Sequence, residues 1–300
     1  MSAEAVRLES PAGAVPPLRQ RQWLIVLRSA MRLNRARLGL GLVVLIVAIA
    51  LIGPAVAPHG PTQFVGAPNA GASGQALFGT DNIGHDVLSR FLDGGRTILG
   101  LAALSTLLGV TLGVLIGLTA AYAGGIVDEL LMRVSDIFLA FPQILLALLL
   151  VASLGHKLWL LVLAVGVTTA PRVARVLRGA ALQVVERDFV KAAEAVGERR
   201  RRIIFAELLP NVSSPLLVEL GLRITYSIGL IAALDYLGFG VQPPAADWGY
   251  MINENRLALT VQPWGVVLPV LAIGLLTVGA GLLTDGIARA AIGLDRNGEG

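Results

Sequence analysis

Several stretches of this chain run for twenty or more consecutive positions without a charged residue, among them Leu38–Ala57, Thr97–Tyr122 and Trp264–Thr284. About 20 apolar residues in a helix cover the ~30 Å hydrocarbon thickness of a bilayer. A soluble domain has no means of covering such surface three times over. With 55% hydrophobic residues, 15% charged and a mean hydropathy of +0.74, the whole chain reads as integral membrane. The 35 glycines point the same way, because membrane helices associate through close backbone contact. Gly109, Gly113 and Gly117 fall on one helix face and form a packing seam; a bend is the lesser reading.

Three further spans complete the pattern. One covers about Val134–Leu154, kinked at Pro142, and one starts at Leu158 and stays apolar to Pro171. Another covers about Pro215–Leu237, interrupted by Glu219 and Arg223. The expected organisation is a tail at 1–37, a first span at 38–57, an external loop at 58–96, a five-span core at 97–285 containing an aqueous loop at 172–214, and a tail at 286–300. Disorder is expected up to Pro17, then a basic amphipathic helix over Leu18–Arg37 on the inner leaflet. The basic N-terminus lacks a following cleavage site, so the first span reads as a retained anchor. Nineteen Lys and Arg fall on one face and four on the other, which places the tails and the 172–214 loop in the cytoplasm. The pI near 9.9 is then mostly topology and calls for no nucleic acid.

Inside that loop, FVKAAEAVGERRRRIIFAELLPN (Phe189–Asn211) reads as helix, glycine turn, helix. Asp188 is expected as N-cap, with Phe189, Ala192, Ala193 and Val196 on one side. Gly197 suits the left-handed C′ position, and Pro210 should stop the second helix by Leu209. Arg199 to Arg202 sit where the helix macrodipole opposes cations, so they do not stabilise that helix. Anchoring to anionic head groups accounts for them, as does an acidic partner; the small residues Ala192, Ala193 and Gly197 favour the partner.

This segment resembles the "EAA" loop of ABC-importer permeases in Ala192, Ala193, Gly197, Leu209 and Pro210, with Lys191 where glutamate is usual. FGTDNIGHDVLSR (Phe78–Arg90), AAYAGGIVDELLMRVSDIFLAFP (Ala120–Pro142), LDYLGFGVQPPAADWGYMI (Leu234–Ile252) and TDGIARAAIGLDR (Thr284–Arg296) are similar to the second, C-type permease of dipeptide/oligopeptide/nickel importers. His85 and Asp235 stand where that group usually has arginine and serine. The resemblance implies an all-α, six-span type I importer fold that forms half of a translocation path for peptides. It implies as partners a homologous second permease, two ABC ATPase subunits, an extracytoplasmic substrate-binding protein and the bacterial inner membrane. It also implies ATPase coupling through Asp188, Phe189, Lys191, Ala192, Ala193, Gly197, Arg199, Arg202, Leu209 and Pro210, with nickel or another small solute as alternative cargo.

No Walker A loop is present: the only lysines, Lys157 and Lys191, follow His156 and Val190 rather than glycine. ATP and Mg are therefore expected on partner subunits, with no cofactor here. There is no cysteine, and His59, His85 and His156 have no metalloprotease spacing; His85 is expected at the surface. Glu219 and Arg223 read as a neutralising pair near the cytoplasmic end of the fifth span, or as path-lining or partner-contacting groups. Asp235 is expected to be solvated at the external interface, with a gate or substrate contact as alternative. An ion-coupled secondary carrier would also use such buried charges, but no internal repeat is evident. A passive structural subunit would be indifferent to disruption of the hairpin.

Overall fold

The computed structural model describes residues 22–155 and 157–297. The disorder expected before Pro17, the first turn of the expected amphipathic helix and His156 lie outside the described residues. Within them the chain is helical: α1 Gln22–Ala30, α2 Asn34–Val56, α3 Val87–Ala123, α4 Gly125–Leu139, α5 Gln143–Leu154 and α6 Leu158–Val185. Then follow α7 Asp188–Ala195, α8 Arg200–Arg202, a π-helical turn Ile203–Leu208, α9 Leu209–Asn211, α10 Ser213–Tyr236, α11 Trp248–Asn255 and α12 Trp264–Asn297.

Five helices (α2, α3, α6, α10 and α12) are long and apolar enough to cross a membrane. The region read as one kinked span at 134–154 is instead two helices, α4 and α5, meeting at 88°. Pro142 lacks an N–H and disfavours helical geometry at Phe141, so the chain breaks there and restarts. Counting the bent pair as one span gives six crossings.

Two helices outrun their apolar cores. α3 begins at Val87, ten residues before the expected start at Thr97, because Asp86 caps it by accepting the Ser89 N–H. Its 37 residues reach about 55 Å, well beyond the ~30 Å of hydrocarbon. Arg90, Asp93 and Arg96 therefore belong to a helix and not to the 58–96 loop. Likewise α6 continues past Pro171 to Val185, where an aqueous loop was expected from Arg172. Arg172, Arg175 and Arg178 are rungs on that extension, bonded to Gln143, Asp136 and Asp128 of α5 and α4.

The glycine seam joins α3 to α6. A Cβ on Gly109 would lie 2.8 Å from the Gly166 carbonyl, on Gly113 2.4 Å from Val173 Cβ, and on Gly117 2.5 Å from the Ala174 carbonyl. Those distances are below van der Waals contact, so the two backbones meet only because the side chains are absent. α1 buries Val26 and Ala30 against Ala290 and Ala291 of α12. At the α10–α11 end, Trp248 is fully buried, stacks on Phe91 with 5.5 Å between ring centroids, and donates its indole N–H to the Phe91 carbonyl at 2.8 Å.

Candidate coupling hairpin and buried charges

α7 is preceded by Arg187 in extended conformation, with no side-chain cap. Asp188 is thus the first helical residue and not the N-cap; its carboxylate acts on the positive end of the helix dipole only through space. The helix ends in a Schellman motif. Gly197 takes φ +78°, its N–H bonds the Glu194 carbonyl at 2.9 Å, and Glu198 N–H bonds the Ala193 carbonyl at 3.0 Å. This left-handed residue reverses the chain into the second arm.

That arm does not stop at Leu209. The π turn at Ile203–Leu208 sends the Leu209 N–H back to the Ile204 carbonyl, and helical geometry runs through Pro210 to Asn211. A widened turn tolerates a proline that an α-helix would reject, because the missing N–H falls where the bonding pattern has already shifted.

Val190, Ile203 and Leu208 are buried together, with Tyr122, Val184, Val185, Phe189, Ala193 and Ile204 packed around them. The face expected to carry Phe189, Ala192, Ala193 and Val196 is therefore divided. Phe189 and Ala193 turn toward the body, while Ala192 and Val196 stay exposed, Val196 at 78%. The outward side is a shallow groove of 290 Å³ floored by Ala192, Ala193 and Val196 and edged by Glu198, Arg202 and Glu207. Lys191 lies 3.4 Å from Glu186, and Arg202 lies 2.9 Å from Glu198. Arg199, Arg200 and Arg201 are exposed.

In α10, Glu219 and Arg223 are 5% and 8% exposed, with Arg223 Nε 2.9 Å from a Glu219 carboxylate oxygen. The Arg223 guanidinium also lies 5.2 Å from the Tyr226 ring centroid. One helical turn thus carries a charge and its counter-charge into the fold.

Two sequence expectations are overturned beside α11. His85 is buried, not at the surface: its Nδ1 lies 3.1 Å from Asp81. Asp81 also accepts the backbone N–H groups of Ile83, Gly84 and His85 at 2.9, 2.8 and 2.8 Å. Arg90 bonds Asp81 and, at 2.7 Å, Glu254 of α11. Burial raises the Asp81 carboxyl, but the Arg90 bond and charge with the His85 and Ile83 amides outweigh it and hold the group below its usual range. Burial pushes the Glu254 carboxyl up, against the opposing charge of Arg90.

Asp235 is the second correction. It is fully buried, because the 237–247 loop folds back and donates Val241 N–H to it at 2.9 Å. Its neighbour Asp247, unremarked in the sequence, caps α11 by accepting from Gly249 and Tyr250 at 2.8 and 3.2 Å. An Asp directly before an apolar helix start was the available signal for that cap. Among the described residues no three His, Asp or Glu side chains gather as a metal site.

Residues 109–292 match the binding-protein-dependent transport system inner membrane component, and residues 21–71 match the N-terminal TM domain of oligopeptide transport permease C. The chain belongs to this family of transport permeases. It is 37% identical over 259 residues to the di/tripeptide transport system permease protein DppC of Pseudomonas aeruginosa, covering 84% of this chain and 86% of the relative. It is 35% identical over 250 residues to the glutathione transport system permease protein GsiD of Pectobacterium atrosepticum, covering 83% of each. A chain of the MetNI methionine ABC transporter, solved in inward-facing conformations, shares the fold with a TM-score of 0.51 at 21% identity, covering 68% of this permease and 96% of that chain. The permease is accordingly an all-α, multi-pass membrane component with the fold of ABC importers.

Proposed function

We propose that this permease forms one half of the membrane path of an ATP-driven peptide importer and is moved through the α7–α9 hairpin. The observation that carries the proposal is the hairpin's construction. One side is nailed to α3 and α6 by Val190, Ile203 and Leu208, and the other offers a small-residue groove with charged edges. A rigid element with one anchored and one exposed face converts movement of a docked partner into movement of the spans.

The assembly proposed is this chain, a homologous second permease, two ATPase subunits that bind ATP and Mg, and a substrate-binding protein that delivers the peptide. The charge distribution supports cytoplasmic termini and a cytoplasmic hairpin in the inner membrane. Reading α4 and α5 as one broken span gives six crossings, a number that supports both termini lying on one side. The relatives named for glutathione and for di- and tripeptides favour peptide cargo over nickel.

Uptake by the reconstituted assembly tests the proposal. Peptide should enter only with ATP and a binding protein present. Replacing Ala192 with tryptophan should leave membrane insertion intact and abolish uptake. Uptake driven by an ion gradient with this chain alone would show a secondary carrier instead. Full uptake by the tryptophan variant would show that the groove is not the coupling surface.

A further inference from the structure

Asp235 and Asp247 are both at 0% exposure, one in the last turn of α10 and the other at the start of α11. Each spends Oδ1 on backbone N–H groups: Val241 for Asp235, Gly249 and Tyr250 for Asp247. Each keeps its Oδ2 buried with no hydrogen-bond partner, and the two share Gly249: Asp235 packs against it, and Asp247 accepts its N–H. The wrapping is tight, since a Cβ on Gly249 would lie 2.5 Å from Asp235 Cβ and one on Gly240 would overlap its Oδ1.

A hydrogen bond between two carboxyl groups requires a hydrogen, and an ionised carboxylate has none to give. Two like charges in a dry site also repel, with nothing to offset them unless a cation is near. The nearby cations are already engaged. On α3, Arg90 bonds Asp81 and Glu254, and Arg96 bonds the Leu51 carbonyl; the other charged group there is Asp93. α11 contributes Tyr250 and Glu254, and α5 and the adjoining end of α12 carry no charge. We propose that Asp235 and Asp247 hold a single proton between their Oδ2 atoms, and that this proton fastens the end of α10 to the start of α11. Burial raises the Asp247 carboxyl, against the bonds from Tyr250, Asp235 and Gly249, in the direction that a retained proton requires. This goes beyond the importer reading and does not depend on it.

The test is infrared spectroscopy of the full chain in nanodiscs, with melting followed against pH. At neutral pH the wild-type chain should show a protonated carboxyl absorption that Asp235→Asn and Asp247→Asn each remove. The wild-type melting midpoint should fall as pH rises past neutrality, because a carboxyl protonated in the fold loses its stabilisation as the solution becomes alkaline. Asp235→Asn, whose amide donates to Asp247 at every pH, should fall less than the wild type over that range. Absence of the absorption at neutral pH in the wild-type chain overturns the proposal, whether or not the variants fold. An absorption that survives both replacements overturns it as well. A wild-type midpoint raised by sodium or calcium and unchanged in Asp235→Asn would show that a cation, not a proton, sits between the carboxyls.

Discussion

Arg90 and Glu254, 164 positions apart in sequence, bond at 2.7 Å with both side chains almost fully buried. The same Arg90 nitrogen holds Asp81, so one guanidinium ties the 58–86 loop, α3 and α11 together. Arg90→Met should leave two buried carboxyl groups without their cation and cost about 3–5 kcal/mol. The readout is the melting midpoint of the purified chain. A drop no larger than that of an exposed control such as Arg133→Met would refute the clamp.

The pH response of this cluster has a definite sign. The Asp81 carboxyl is held below its usual 3.8, so its contribution is present above that pH and is lost as pH falls through the lowered value. Glu254 is raised above 4.5, so its contribution is present below 4.5 and lost as pH rises through the raised value. Glu254→Gln removes the second slope, so its midpoint should fall less than the wild type's on the alkaline side while still declining on the acid side. A midpoint in that variant that rises below pH 3.8 would contradict the assignment.

The α3–α6 seam leaves no room for side chains. Gly113→Val should cost about 1–3 kcal/mol or more by overpacking against Val173. Gly41→Ala, at a site where a Cβ meets nothing within 4 Å, should leave the melting midpoint unchanged. Equal effects from the two would mean the seam is not tight.

Neutralising either member of the Glu219–Arg223 pair should also cost about 3–5 kcal/mol by stranding its buried partner. Glu219→Gln combined with Arg223→Met should recover most of the folded yield. If the double variant folds but its assembly does not transport, the pair serves the path as well as the fold.

Much of this was readable from the chain, for reasons that particular residues make plain. The uncharged runs announce helices because a bilayer sets their length, and Gly109, Gly113 and Gly117 announce contact because their spacing is that of a helix face. Gly197 is legible because only glycine takes φ +78° without strain. What was not legible depends on partners remote in sequence. Nothing beside His85 or Asp235 reveals that the 58–86 and 237–247 loops fold over them. Pro210 reads as a stop until the π turn ahead of it is known, and Val87–Arg96 reads as loop because its charges conceal a helix that leaves the membrane.

Site-directed crosslinking from the hairpin is the most direct measurement, and the absence of native cysteine makes it clean. Val196→Cys, 78% exposed on the groove side, should crosslink to an ATPase subunit in the assembled importer, with a yield that changes when ATP binds. Leu257→Cys, 89% exposed just beyond α11, should give no such product. A Val196→Cys chain that is labelled from outside the cell, or that reaches no nucleotide-hydrolysing subunit while transport continues, would contradict the proposed coupling.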